Sequence, residues 1–375
     1  MKKGKFSLFL VLLILFLTSC QPKISNTFVP SQDSAINGQQ SNQIRSGQKK
    51  ESPALSEQAP PPEHSATIFA MDTVMNVKII GGDDNLLKQI EDQINGLENM
   101  FSTTQAGSDI YMLNQNGQAT VGKDTEILLN KALQLCAKTN GALDVSIYPI
   151  VTAWGFTTGE YQVPEPAKIN QLLAKVDYRK ITQNQAVVSL EENMKIDLGS
   201  VAKGYTADKI VEFLKENQID SALLNLGGNV HALGSKSDGS PWRIAIQDPK
   251  GDNILGVVSV SDLAVVTSGG YERYFEDNGK LYWHIMDPKT GYPASSGLIS
   301  VSIICPSGLY ADALSTSLFI KGLEESTAFW RKHRDFEAVF VDEASNIYIT
   351  EGLENIFALI NSDDNQKLKI IKGQP

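Results

Sequence analysis

Cysteine is scarce, basic charge is outnumbered, and the one unbroken apolar run falls short of a membrane span; each shortage excludes something. There are three cysteines, Cys20, Cys136 and Cys305, too few for a disulfide-stapled scaffold. Cys136 sits in an apolar helical run and Cys305 ends the β-like run Val301–Ile304. Both read as buried packing thiols, with a bridge between them left open. Lys and Arg number 33 against 43 Asp and Glu, a formal charge of −10. Residues 1–65 hold 7 of those basic and 4 of those acidic residues, so the acid surplus lies in the rest of the chain. An acidic body does not draw in polyphosphate by bulk charge, which argues against nucleic acid as a partner. A small anionic ligand would need a local site or a metal. No internal repeat and no second linker is visible.

The apolar run, Leu8 to Leu17, follows Lys2, Lys3 and Lys5 and ends in Leu17-Thr18-Ser19-Cys20. A basic start, a short apolar stretch and small residues at its end describe a secretory signal. The ending resembles a bacterial lipobox, which implies lipidation of Cys20 and a protein tethered outside the cytoplasm, on a cell membrane or its periplasmic side. Residues 21–65 are rich in Gln, Ser, Asn and Pro, including Pro60-Pro61-Pro62, and read as a disordered spacer. The expected division is signal 1–19, lipidated cysteine and linker 20–65, and domain 66–375. His64 falls in the linker and receives no role.

Within the domain, Phe69–Val77 reads as one strand, closed by Gly81-Gly82. Leu86, Leu87, Ile90, Ile94, Leu97 and Phe101 recur at helical spacing, with Asp83 or Asp84 as N-cap. Further helices are predicted over Asp124–Asn140, with Gly141 just past the end, over Pro166–Val176, and from about Ser200. β-like runs follow at Ala222–Leu226, Trp242–Ile246, Gly256–Val260, Leu263–Thr267, Tyr282–Met286 and Ser300–Ile304. Helices over Tyr310–Ile320 and Glu324–His333 precede strands near Ala338–Val341, Ile347–Thr350 and Ile356–Ile360. Helices early and antiparallel-looking strands late predict a single α+β domain with a mostly antiparallel sheet and packed helices.

Polar residues gather at the ends of these runs, where a scaffold presents groups to a cleft. They include Asp144 after Gly141-Ala142-Leu143, the Asp197-Leu198-Gly199-Ser200 turn, Asn225–Asn229, Thr267–Gly270 and His284–Gly291. Asp312 and Thr316, four apart on a predicted helix, face the same way. Each segment alone has an ordinary explanation in turn chemistry or a solvated helix face. Lys203, early in a helix, opposes the dipole there, which suggests work such as meeting a phosphate. The residues by themselves describe a cleft suited to metal and phosphate.

Taken in order, six segments resemble the ApbE family of FAD:protein FMN transferases. They are Ala70-Met71-x-Thr73; Phe101-Ser102-Thr103; Gly141–Asp144; Asp197-Leu198-Gly199 with Ala202–Tyr205; Leu226–Asn229; and Thr267–Gly269 through His284–Gly291 to Ala311–Thr316. The resemblance implies a T-fold-like α+β domain that binds FAD as substrate and uses Mg²⁺. It implies FAD contacts at Met71, Thr104, Ala142, Leu143, Asp144, Asp197, Lys203 and Ile285. The metal would take the carbonyl of residue 200, here Ser200, with Asp312 and Thr316, an all-oxygen set suited to a hard cation. His284 matches a histidine needed for transfer and is the expected base at its ordinary pKa, with Asp287 or Asp312 as possible sharers of that role.

The activity implied is attack by a Ser or Thr hydroxyl of an acceptor flavoprotein on the FMN-side phosphorus of FAD, with AMP leaving. Acceptors implied are FMN-binding-domain proteins, including subunits of RNF-type and Na⁺-pumping NADH:quinone reductases, with a motif similar to Asp-Gly-Ser/Thr-Gly-Ala-Ser/Thr. FAD hydrolysis to FMN and AMP, or FAD binding without turnover, are the alternatives. Three positions depart from the family pattern: Asp72 for Gly, Thr104 for Tyr, and Ser200 where Gly, Ala or Thr is commoner.

Overall fold

The computed structural model describes residues 61–360 and 367–373. The lipobox, Cys20 and nearly all of the expected spacer lie outside those residues. The first strand begins inside the expected linker: β1 (Glu63–Ala70) pairs antiparallel with β2 (Thr73–Ile80). His64 therefore belongs to the sheet, and its Nδ1 lies 2.9 Å from Asp84 Oδ1. The single strand expected over Phe69–Val77 is instead a hairpin folded at Met71-Asp72. Both turn residues have positive φ (50° and 58°), the type I′ combination that matches strand twist.

The segment from α1 (Asp84–Phe101) to α6 is mostly helical. Asp83 caps α1 by accepting from Leu86 N–H at 2.9 Å, and the apolar stripe predicted from sequence is its buried face. Next come α2 (Asp109–Asn116), β3 (Gln118–Thr120), α3 (Lys123–Lys138), α4 (Tyr148–Ala153) and α5 (Pro166–Leu173). Strands β4 (Thr182–Asn184) and β5 (Val187–Ser189) join β3 in a small sheet, and α6 (Gly199–Glu216) follows.

The remainder is strand-rich: β6 (Ala222–Leu226), β7 (Asn229–Leu233), β8 (Trp242–Gln247), β9 (Ile254–Val260), β10 (Leu263–Gly269), β11 (Tyr274–Asp277), β12 (Lys280–Trp283) and β13 (Leu298–Cys305). Then come α7 (Gly308–His333), β14 (Glu337–Asp342), β15 (Ile347–Thr350), β16 (Phe357–Leu359) and β17 (Leu368–Ile371). The two helices predicted over 310–333 are present as the two halves of α7, which meet at a kink at Gly322, whose φ of 77° and ψ of 174° are not helical.

Nine strands form the main sheet in the order β1-β2-β6-β7-β10-β13-β14-β15-β17, antiparallel except for β15–β17. Alternation divides its side chains between two faces. On one face Met75, Val77 and Leu224 pack with α1 and α6, while Val266, Val301 and Phe340 pack with α7. On the other, Val265, Ile304 and Val339 meet the three-stranded sheet β16-β9-β8. The architecture is the predicted α+β domain.

Helices α6 and α7 cross where neither carries a side chain. A Cβ on Gly204 would stand 2.2 Å from the Gly308 carbonyl oxygen. Asp208 fixes the crossing by accepting from Ser307 Oγ (2.8 Å), Gly308 N–H (2.6 Å) and Leu309 N–H (3.1 Å). Cys136 and Cys305 are buried and free, and burial pushes both thiols up to about 12. Among the described residues no helix is long and apolar enough to cross a membrane.

Candidate active site

The β1–β2 turn, the β6–β7 turn, the end of β10, the start of α6 and the first half of α7 surround a cleft of about 370 Å³. That volume suits a small-molecule ligand. Its walls include Met71, Thr104, Ala142, Leu143, Asp144, Asp197, Ser200, Lys203, His284, Ile285, Asp312 and Thr316. Of the catalytic, FAD-contact and metal candidates expected from sequence, Asp287 alone does not line it. Its carboxylate closes a turn, accepting from Lys289 N–H at 2.9 Å and Thr290 Oγ1 at 3.4 Å.

The β1–β2 turn reaches the cleft because α1 holds it there. Met71 N–H donates to Glu98 Oε1 at 2.9 Å, which offsets the cost of two non-glycine residues at positive φ. Asp144 is buried and fully used by the fold. Ser146 N–H and Oγ donate to its Oδ1 (2.8 and 2.6 Å), and Tyr178 N–H to its Oδ2 (3.1 Å). Burial raises its pKa, and those donors oppose the rise. Asp197 accepts from Gly199 N–H at 2.5 Å; burial raises its pKa, while Arg273 pulls it down.

One cluster carries the strongest charges. Gly204 N–H, which in a regular helix points at the carbonyl of Ser200, donates to Asp312 Oδ2 at 2.8 Å. This contact draws Asp312 to the first turns of α6. One helical turn on from Asp312, Thr316 Oγ1 lies 3.3 Å from Ser268 Oγ. Lys203 Nζ reaches the Gly227 carbonyl at 3.4 Å. Burial raises the Asp312 pKa, countered by Lys203, Gly204 N–H and Asn229. Asn229, buried beside it, has its carboxamide oxygen without a hydrogen-bond partner.

These donors fit Mg²⁺. They are one carboxylate, a hydroxyl, a backbone carbonyl and a spare amide oxygen, with no nitrogen or sulfur ligand among them, and Mg²⁺ takes few carboxylates and keeps several waters.

His284 is positioned by the backbone of Arg273. Its Nδ1 lies 3.2 Å from the Arg273 carbonyl oxygen, which can only accept. The proton of the neutral ring therefore sits on Nδ1, and Nε2 keeps its lone pair. The edge of Phe156 meets the imidazole at 6.3 Å between centroids. The ordinary pKa expected from sequence is not what the site imposes. Burial pushes His284 down to about 4, with Arg273 and Lys203 adding to the shift and the Arg273 hydrogen bond opposing it.

Three charged cleft residues are not found by the sequence reading. Glu98 anchors the turn, Arg273 Nη2 donates to the Phe156 carbonyl at 2.7 Å, and Glu272 lies within the field of Lys203 and Asp312. Glu272 keeps open surface at the cleft mouth, yet its carboxyl sits among protein atoms. Burial raises it to about 7, with Lys203 lowering and Asp312 raising it. The only local signal for Glu272 and Arg273 is a charged pair following Gly269-Gly270-Tyr271 at a strand end, and Glu98 has none.

Fold and cleft together define a single-domain α+β protein whose oxygen donors and lysine converge on one anionic-ligand site. Residues 71–340 match the ApbE family profile, and the chain belongs to the ApbE family. Among curated relatives, FAD:protein FMN transferase of Treponema pallidum is 37% identical over 277 residues, 68% of this chain and 76% of that protein. The FAD:protein FMN transferase of Klebsiella pneumoniae is 31% identical over 80% of this chain and 95% of its own length. Of solved structures, the ApbE protein of Thermotoga maritima superposes with a TM-score of 0.74 at 29% identity, covering 79% of this chain and 99% of that one. The flavin transferase ApbE of Vibrio cholerae gives 0.72 at 26% identity, covering 79% and 100%.

Proposed function

We propose that this protein transfers the FMN half of FAD to a Ser or Thr hydroxyl of an acceptor flavoprotein and releases AMP. The observation that carries the reading is the convergence of Lys203, Ser200, Asp312, Thr316 and His284 on one cleft. Phosphoryl transfer asks for positioning and charge neutralisation more than for covalent help from the enzyme. Asp312, Thr316 and the Ser200 carbonyl would hold Mg²⁺, which would neutralise pyrophosphate charge when bound. Lys203 adds a fixed positive charge beside it. His284, neutral with its lone pair on Nε2, takes the proton as the acceptor oxygen bonds to the FMN-side phosphorus. The bond from that phosphorus to the bridging oxygen breaks, and AMP departs with the electron pair.

Acceptors of this chemistry include FMN-binding subunits of RNF-type and Na⁺-pumping NADH:quinone reductases. Lipidation at Cys20 would hold the enzyme outside the cytoplasmic membrane, beside outward-facing acceptors. A Cys20→Ala chain is then expected in the soluble fraction.

The test is to incubate the protein with FAD, Mg²⁺ and an FMN-binding domain carrying the acceptor motif, then weigh that domain. A mass gain of one FMN residue that EDTA abolishes supports the reading. Free FMN and AMP with no mass gain make the protein a pyrophosphatase, and intact FAD makes it a binding protein.

A further inference from the structure

We infer that Phe69 and Val74 form the surface on which the acceptor protein docks while its hydroxyl enters the cleft; the inference rests on the transfer reading above. The two residues face each other across the β1–β2 hairpin, and they are 73% and 54% exposed. The rest of that outward face is polar on at least one strand of each pair. Thr67 Oγ1 donates to Asn76 Oδ1 at 3.0 Å, and Ser65 pairs with Lys78, whose Nζ lies 2.6 Å from Glu63 Oε1. Only the pair beside the cleft is apolar on both strands.

Among the described residues, fold packing does not account for this patch. The β16-β9-β8 sheet covers the same face of the main sheet from β7 to β15, reaching β6 only at the margin through Leu223. Strand β1 lies at the sheet edge, so Phe69 has a strand neighbour on one side only. A large apolar pair left in water at a functional rim marks a contact surface rather than scattered exposure.

The cleft identifies the occupant. Phe69 and Val74 are each two residues from a turn residue that lines it, Met71 and Asp72 respectively. A protein whose hydroxyl reaches phosphorus inside the cleft has to cover this rim. A membrane surface fits less well, because Asp72 at the tip and the acid surplus of the domain oppose anionic headgroups.

The test compares the full-length parent with Phe69→Ser/Val74→Thr, using as acceptor a soluble FMN-binding domain that carries the motif. The expected result is a KM for the acceptor raised about tenfold or more, as for loss of an interface anchor, with kcat and the FAD dissociation constant within about twofold. Phe69→Leu/Val74→Ile should restore the parental KM. An unchanged KM overturns the docking surface. So does a fall in Tm with unchanged KM, which would make the pair a brace for the turn, or lost vesicle binding with unchanged KM, which would make it a membrane contact. A parent that cleaves FAD but labels no acceptor overturns the transfer reading and this inference with it, and is seen before any variant is compared.

Discussion

Gly204 donates its backbone N–H to Asp312 Oδ2 across 2.8 Å, so the contact that packs α6 on α7 also sets a cleft carboxylate. A Cβ at Gly204 would lie 2.2 Å from the Gly308 carbonyl oxygen and 2.8 Å from Asp312 Cβ. Neither neighbour is the far end of a flexible chain. Gly204→Ala is expected to cost about 1–3 kcal/mol of stability, as overpacking does. Transfer at saturating Mg²⁺ should fall as well, measured on protein held well below its unfolding temperature. Full activity with a normal Tm would mean that the helices separate without moving Asp312.

Asp312→Asn keeps an oxygen for Gly204 N–H but removes the negative charge. The fold should survive, with a Tm close to the parent. The Mg²⁺ concentration for half-maximal FAD cleavage should rise about tenfold or more, by analogy with the loss of a charged hard ligand. A magnesium titration that overlays the parent would take Asp312 out of the metal site.

His284→Ala should lower transfer by about a hundredfold or more, the usual weight of a general base. Titration gives a second readout. The native imidazole is depressed to about 4 from its ordinary 6.5, facing Arg273 and Lys203, so between these values the unfolded chain binds the proton and the native one does not. Stability therefore rises with pH across that window and is lost as pH falls from 6.5 toward 4. Urea unfolding without FAD should show a shallower pH dependence for His284→Gln than for the parent. Parallel curves would mean that the imidazole is not desolvated.

Asp72 occupies the second turn position at a φ of 58°, where an L side chain is strained and glycine is not. Asp72→Gly should raise stability by up to about 1 kcal/mol, read as a higher Tm. FAD affinity should be equal or tighter, because a negative group leaves the rim. A lower Tm would show that the Asp72 side chain makes a contact worth more than the strain.

What the sequence revealed follows the range of the forces involved. The stripe of α1, its Asp83 cap and the shared face of Asp312 and Thr316 depend on residues within a few positions of one another, so periodicity exposed them. The β1–β2 hairpin stayed hidden because Met71-Asp72 lacks the Asn-Gly chemistry of such turns; its support, Glu98, lies 27 residues away. Three-residue strands such as β3, β4 and β5 carry too little pattern to see. The resemblance offers Asp287 as a sharer of the base role, and in sequence a carboxylate after a strand looks the same whether it faces a cleft or closes its own turn, as Asp287 does. His284 is placed by its motif, but its depressed pKa comes first from burial, with Arg273 and Lys203 adding to it, and only the fold sets these.

The break at Gly322 divides α7 into two halves that are anchored separately yet tied to each other. The half with Asp312 and Thr316 is tied down by Asp208 and Gly204, and Ser296 and Ser326 hydroxyls satisfy the Phe319 and Leu318 carbonyls at its end. The half beyond is held by Trp330 Nε1 on the Phe336 carbonyl, and the loop after it by Lys138 on Asp335. Ser326 lies beyond the break and bonds back to Leu318 before it, and Tyr310 in the first half meets Asp335 after the second, so loosening the second half would be felt by the half that lines the cleft. The helix is long, but the part of it that lines the cleft is short.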